Sequence, residues 1–404
     1  MTQGKPIILA PAPKREIQTR IEKLHAALNA QNNDWDAAFI VDKANQYYLT
    51  GTMQEGVFVL KKDGSHAYFA RRSFERAKRE CLLGDVYPMV SYKDVLEMTG
   101  ENIQRLYIET DVMPLAMFGR IKKYFNAAQE LPIDKIMLKL RAVKSGYELE
   151  QMEEAGARHG YLLDSVVPGL LKEGMSEAEF IADLYSEMVK LGHHGATRFA
   201  MFQAEVVTGQ LGFGENSIYP TSFNGPGGMK GQCPAAPMIG DWGRTLKKGD
   251  LVFVDVGFGF NGYHTDRTQI YFFGANPSDE IVRIHRQCMG IQKRIAAFLK
   301  PGGMPGEIYR AVMGDLSPEF TRGFMGCEGS VKFLGHGVGL QIDEFPVIAE
   351  GFDEPLVENM AIALEPKKAL KNVGLLGVED TYIVTGSGGR CITGGEKDIM
   401  AVGS

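Results

Sequence analysis

The chain has 404 residues, 44% of them hydrophobic and 23% charged, with a formal net charge of −6. That is the composition of an ordinary folded protein long enough for two domains, and it excludes a mostly disordered chain. No basic stripe accompanies the acidic balance, so neither nucleic acid nor an anionic membrane surface is expected as a partner.

The opening residues, MTQGKPIILAPAPKRE, hold an apolar patch of four residues, too short for the core of a secretion signal. No stretch approaches the roughly 20 apolar residues that span a bilayer. The five cysteines, at 81, 233, 288, 327 and 391, form no CxxC pair, so neither a disulfide framework nor a thiolate zinc site is suggested. A cytoplasmic location is the expectation.

Residues 14–30 set Ile17, Ile21, Leu24 and Leu28 at helical spacing and predict an amphipathic opening helix. Strand-like runs follow: AAFIV at 37–41, GVFVLKK at 56–62, AYFAR at 67–71 and LYIET at 106–110. The alternation predicts an α/β domain over residues 1–142, ending near Arg141. Beyond it, Ser145 with Glu148 is a capping box that opens a helix to about Val166. Ser176 with Glu179 opens a second, stopping at Gly192, and Ser278 starts a third that ends before Pro301. The segments 197–274 and 331–399 are β-rich and glycine-rich. Residues 143–404 therefore read as an α+β domain with an antiparallel sheet and helices on one side.

The stretch GDLVFVDVGFGFNGYHTDRTQIYFFG, residues 249–274, carries a strong hairpin signal at Asn261-Gly262, where both turn positions need positive φ. That turn sets Phe260 opposite Tyr263, Gly257 opposite Asp266 and Asp255 opposite Thr268. Asp255 and Asp266 then share one face as diagonal neighbours, close enough to hold one cation. An aspartate inside the apolar run LVFVDV is costly to bury without a partner. The plainer alternative makes each a solvated turn or edge residue.

Glu365 in MAIALEP and Glu379 in LLGVEDTYIV are again single carboxylates within apolar runs. Either alone could pair with a base, and Lys367, Lys368 and Lys371 are at hand. Together with Asp255, Asp266 and His336 of LGHGVGLQIDEFP, a shared metal site is the simpler account. Four carboxylates carry four negative charges, which two divalent cations would neutralise. Oxygen donors with one imidazole suit manganese, cobalt, iron or zinc.

The order Asp255, Asp266, His336, Glu365, Glu379 resembles the dimetal "pita-bread" hydrolases of metallopeptidase family M24: methionine aminopeptidases, Xaa-Pro aminopeptidases and prolidases. The GHGVG context of His336 and the GDLVFVDVG lead-in resemble them too, and the spacing of the two glutamates is most like the Xaa-Pro aminopeptidase/prolidase (creatinase-like) branch. NQYYLTG at 45–51 and the strands after it are similar to the creatinase/prolidase N-terminal domain. The resemblance implies that α/β domain followed by a catalytic domain with a curved antiparallel sheet. It implies two divalent ions bridged by Asp266 and Glu379, with Asp255 on one and His336 and Glu365 on the other. A metal-bridging water would be the nucleophile, Glu365 its general base, and a small peptide or peptide-like amide the substrate. Relatives of this kind are commonly homodimers.

The chain also departs from that pattern. Its relatives carry a histidine shortly before the first metal-binding aspartate and another seven residues after the ligand histidine. Residues 195–254 contain none, and Asp343 stands at the second position. The arginine usual two residues further along the DxTRT-like run is missing as well, because Asp266 is followed by Arg267-Thr268-Gln269. His193 and His194 could reach the site or simply cap a helix end, and His264 is expected to point to the strand face opposite Asp266. Asp343, Glu344, Gln232 and Cys233 are the expected substrate-selecting residues. The leading expectation is a dimetal amide hydrolase of the Xaa-Pro peptidase type, an aminopeptidase or dipeptidase. The alternatives are a hydrolase of a small non-peptide amide such as an N-acyl amino acid, and a metal-binding family member without turnover.

Overall fold

The computed structural model describes residue 7 and residues 9–201, 206–327 and 331–403. The chain divides into two units, residues 1–141 and 142–404. No helix among the described residues is long and apolar enough to cross a membrane.

In the first unit the helix Lys14–Gln31 buries Ile17, Ile21, Leu24 and Leu28, the stripe its spacing predicts. Six strands follow: β1 (Ala37–Ile40), β2 (Gly56–Lys61), β3 (His66–Ala70), β4 (Val86–Pro88), β5 (Arg105–Ile108) and β6 (Gln129–Pro132). They form one mixed sheet in the order β4-β3-β2-β1-β5-β6. Glu109, fully buried just after β5, accepts from the N–H groups of Val41 and Asp42 and from the Asn45 amide, tying β5 to the end of β1.

The second unit opens with the helix Gly146–Tyr161, whose predicted capping box between Ser145 and Glu148 is formed in both directions. The helix Glu177–Lys190 starts in the same way from Ser176 and Glu179, and Ser278 caps the helix Asp279–Phe298. Its strands are β7 (Gly209–Phe213), β8 (Leu251–Phe260), β9 (Tyr263–Phe273), β10 (Phe333–Gly337), β11 (Glu344–Ala349), β12 (Ala361–Leu364), β13 (Lys367–Leu370), β14 (Gly374–Gly377), β15 (Asp380–Thr385), β16 (Gly388–Cys391) and β17 (Met400–Val402). They build a four-stranded sheet β17-β9-β8-β7, a five-stranded sheet β11-β10-β12-β15-β16, and a separate pair β13-β14.

The β8–β9 turn has φ 47° at Asn261 and 93° at Gly262, and every cross-strand partner falls where the turn predicts. Along β8 the side chains then alternate between two surroundings. Val252, Val254, Val256 and Phe258 enter a core with Leu163, Phe180 and Leu184, whereas Leu251 and Phe253 enter another with Ile281, Leu375 and Leu376. Asp255 and Gly257 continue that second face. The two larger sheets meet where Thr268 N–H donates to the Glu379 carbonyl (3.2 Å) and Asp266 N–H to Thr381 Oγ1 (2.9 Å).

One expectation fails here. Residues 214–250, expected to be β-rich, contain no strand beyond β7, because SFNGPGGMKGQCPAAP has neither alternation nor β-branched residues. Glu177, fully buried at the start of its helix, holds this segment instead. Its carboxylate accepts from Phe213 N–H (2.7 Å), Asp241 N–H (3.0 Å) and Asn216 Nδ2 (3.1 Å). Glu177→Ala leaves those buried donors unpaired, and a loss of about 3 kcal/mol is expected in urea unfolding.

Candidate metal centre

Five residues predicted as ligands converge on the face that Asp255 occupies. Asp255 on β8 lies opposite Thr268, and Asp266 on β9 lies opposite Gly257. His336 comes from β10, Glu365 directly follows β12, and Glu379 links β14 to β15. The glycines around His336 have a packing reason: a Cβ at Gly335 would lie 2.3 Å from the Ala363 carbonyl oxygen, and one at Gly337 2.3 Å from that of Phe345. Only bare backbone lets β10 approach both neighbours this closely.

His336 Nδ1 lies 3.0 Å from the Gly337 carbonyl, which places its proton on that nitrogen and leaves the Nε2 lone pair facing inward. Nε2 is 3.6 Å from Glu365 Oε1, 3.8 Å from Glu379 Oε1 and 4.0 Å from Asp266 Oδ2. Glu379 Oε1 is buried and has no hydrogen-bond partner. Ligands about 2.0–2.2 Å from one ion are at most about 4.4 Å apart, so each of these distances lets His336 share a divalent cation with that carboxylate. Among the described residues, the donor atoms of Asp266, His336 and Glu379 lie mutually within 4.8 Å.

The other half of the cluster is different. Lys367, the first residue of β13, has a fully buried side chain whose Nζ lies 2.6 Å from Glu379 Oε2, 2.8 Å from Asp255 Oδ2 and 3.0 Å from Glu365 Oε2. Glu365 and Glu379 thus each turn one oxygen to the ammonium and the other to His336. Of the nearby lysines, Lys368 faces away and donates to the carbonyls of Phe320 and Arg322. Asp255, expected to chelate a metal, is bonded to an ammonium. The two cations that the resemblance implies therefore meet one open donor set and one set already filled by Lys367.

Burial sets the protonation landscape. It pushes the Asp255 carboxyl up to about 7 against the pull of Lys367. Asp266 is raised well above the usual carboxylate range, by burial first and then by the charges of Glu379 and Asp255. Burial opposes the charge on Lys367, yet Asp255, Glu365 and Glu379 together hold it well above its ordinary value. For His336 burial again opposes protonation, and the charges of Glu365 and Glu379 outweigh it in the upward direction.

The expected substrate residues scatter. Asp343 Oδ1 accepts from Ala200 N–H (2.7 Å), and burial raises its carboxyl while the nearby His336 pulls it down. Glu344 is taken out of the site: its carboxylate pairs with Lys144 at 3.3 Å, both side chains 1% exposed, and accepts from Gln341 N–H. Adjacent residues at a strand start point to opposite faces, so Asp343 and Glu344 could not both line one pocket. Gln232 and Cys233 sit in an exposed turn closed by Gln232 N–H to the Ala236 carbonyl. Sequence reasoning missed Gln210, cross-strand from Asp255 on β7, 2% exposed and with neither amide atom partnered. A β7–β8 pairing was the signal needed, and Gly209 and Gly212 within the five residues of β7 leave its alternation unreadable.

The sequence matches metallopeptidase family M24 over residues 150–386 and the creatinase/prolidase N-terminal domain over residues 20–143. The chain belongs to family M24, and its fold is that N-terminal domain followed by the pita-bread domain. It is 27% identical over 391 residues to an Xaa-Pro dipeptidase of Pyrococcus furiosus, covering 95% of this chain and 100% of that one. Among solved structures, an Xaa-Pro dipeptidase from Bacillus anthracis superposes with a TM-score of 0.77 at 22% identity, over 96% of this chain and 100% of that one. Dipeptidase PepE from Mycobacterium ulcerans gives 0.78 at 22% identity, over 98% and 100%.

Three histidines stand beside the centre without joining it. His264 shares the strand face of Asp266, two residues away, so the expectation that it points to the opposite face is wrong. It stays out of the ligand set because its Nδ1 lies 3.0 Å from the Gly339 carbonyl and its Nε2 3.2 Å from His194 Nε2. His193 Nδ1 accepts from Gly259 N–H (2.9 Å), and its ring stacks on His194 with centroids 5.4 Å apart. Burial, helped by the charge of His264, depresses His193 to about 4 from an ordinary 6.5. An unfolded chain therefore takes up this proton at a higher pH than the folded one, so stability is complete above about 6.5 and falls as pH drops toward 4. His193→Gln keeps an acceptor for Gly259, and urea unfolding at pH 7 and pH 5 should show it losing about 2 kcal/mol less than the parent over that interval.

Proposed function

We propose, starting from membership of metallopeptidase family M24, that this chain is a metal-dependent hydrolase of an amide bond, of the Xaa-Pro peptidase type. One observation carries the reading: His336 Nε2 faces oxygens of Asp266, Glu365 and Glu379 at 3.6–4.0 Å, and the buried Glu379 oxygen lacks any hydrogen-bond donor. A buried carboxylate oxygen and an imidazole lone pair aimed at one point call for a cation between them. The Pyrococcus furiosus relative, matched along its whole length, is named an Xaa-Pro dipeptidase. By resemblance a homodimer goes with this reading, and the sequence expectation of a cytoplasmic location is kept with it.

Bound in that set, a divalent cation supplies polarisation of the scissile carbonyl and acidification of a water. The protein does the rest. Asp266 and Glu379 would hold the cation, and the Gly337 carbonyl holds His336 in the tautomer that presents Nε2 to it. Glu365 Oε1 is the base that takes the proton of the attacking water, while its Oε2 stays anchored on Lys367 at 3.0 Å. Asp343 stands in the place of a hydrogen-bond donor. Ionised, it accepts from a substrate ammonium or amide N–H and does not stabilise a developing oxyanion, a role worth about 3–4 kcal/mol where a donor supplies it. That substitution supports a second reading, in which the scissile bond belongs to a small non-peptide amide such as an N-acyl amino acid.

The test is turnover of Xaa-Pro dipeptides and longer Xaa-Pro peptides after loading with manganese, cobalt or zinc. Activity should vanish on chelation, return with metal, and fall by about a thousand-fold or more in Asp266→Asn, a loss of about 4 kcal/mol. Turnover of N-acyl amino acids without turnover of any Xaa-Pro peptide selects the second reading. Hydrolysis that survives both chelation and Asp266→Asn would remove the metal from the mechanism.

A further inference from the structure

We propose that Lys367 is a built-in cation that takes the place of one of two metal ions, so that this centre holds a single divalent ion. The inference rests on the reading of the carboxylate cluster as a metal site and concerns how many ions it takes.

The geometry is that of a filled site. An ammonium has three N–H donors, and Lys367 Nζ has three carboxylate oxygens at 2.6, 2.8 and 3.0 Å, one each from Glu379, Asp255 and Glu365. A divalent ion bound to those oxygens would sit about 2.0–2.2 Å from each, in the space the ammonium fills. Glu365 and Glu379 each use their two oxygens on two different partners, Lys367 on one side and the His336 set on the other. That is the division two ions would impose; in dinuclear hydrolases they stand about 3.5–4 Å apart. Here one of the two positions belongs to a side chain.

The lysine also has no easy way out. Its backbone pairs with Gly377 on β14, and its carbonyl accepts from Met325 N–H (2.8 Å). A Cβ at Gly377 (φ 136°) would lie 2.6 Å from Lys367 Cα and 3.1 Å from Cγ, so the stem is clamped where it leaves the strand. The Phe253 ring centroid lies 5.8 Å from Nζ. Swinging the ammonium aside would desolvate it without partners and leave three buried oxygens facing one another, a far costlier arrangement than the one observed.

Asp255 changes role accordingly. It becomes the residue that completes the ammonium's hydrogen bonding and no longer contacts a metal. The remaining ion depends on Asp266, His336 and Glu379, which leaves Glu365 Oε1 as the base.

The experiment is metal counting on the whole chain. The protein is loaded with excess Mn2+, desalted and analysed for manganese per chain, with electron paramagnetic resonance on the same samples. The parent should hold one ion with the six-line spectrum of an isolated Mn2+. Lys367→Gly should hold two, with the spectrum of an exchange-coupled pair. In Asp255→Asn one ion should remain, its affinity changed by less than about ten-fold, whereas His336→Ala should weaken binding by about a hundred-fold or more. Two coupled ions in the parent, or loss of an ion in Asp255→Asn, would overturn the assignment while leaving the metal-hydrolase reading intact. A Lys367→Gly protein that folds and still holds one ion would overturn it as well. A parent that holds no manganese at saturation would remove both readings together. Should Lys367→Gly fail to fold, the parent count and Asp255→Asn still decide.

Discussion

The second unit is organised around four carboxylates brought together where its two larger sheets meet. At an effective dielectric constant of about 20, two like charges about 4 Å apart repel by about 4 kcal/mol, and burial adds the cost of lost hydration. Such a cluster is relieved by protonation, which burial favours at Asp255 and Asp266, or by cations that enter it. Lys367 provides one from within the chain, its Nζ within 3.0 Å of three of the four acids, and the oxygens it leaves over turn toward His336. Glu379 stands at the junction, because its side chain serves both halves while its carbonyl receives the Thr268 N–H that joins the two larger sheets.

Strand periodicity made the ligand side of this legible. A two-residue turn at Asn261-Gly262 leaves one register for β8 and β9, and that register decides which face Asp255 and Asp266 share. The capping boxes at Ser145 and Ser176 were readable for a similar reason, since both partners lie within four residues of each other. Where structure depended on distant chain the reading weakened. The segment 214–250 is organised by Glu177 on a helix that precedes it, and nothing local announces such an anchor. Gln210 was invisible until its pairing with Asp255 was known. Glu344 was misplaced because its partner, Lys144, is two hundred residues away in the chain.

Lys367 was half visible. A lone buried glutamate usually has a basic partner, and three lysines followed Glu365 closely. Two considerations stood as alternatives, a lysine counterion or a shared metal site, and the structure contains features of both at once. Spacing alone could not show this. Glu365 and Lys367 are separated by Pro366, where β12 gives way to β13, and a strand break makes the direction of the next side chain unreadable from alternation. His264 was misjudged for a simpler reason: residues two apart on a strand share a face, and what keeps it from the ligands is its bond to Gly339, not its direction.

The departures from the family pattern act in one electrostatic direction. An ammonium in place of a divalent ion leaves the cluster one unit more negative, and an aspartate in place of a histidine at position 343 adds another negative group near His336. A lysine that counts as a ligand-sized cation is also permanent: it cannot dissociate, cannot be exchanged and is placed by strand pairing instead of by equilibrium with free metal. The carboxylates around it keep a partner whatever the metal supply, so folding of this face is uncoupled from loading of the other half. What is given up is the second Lewis acid, and with it the symmetric hold on attacking and leaving groups that a two-ion clamp provides. A site altered in this way suits a substrate that brings positive charge or a hydrogen-bond donor of its own, which Asp343 is placed to receive.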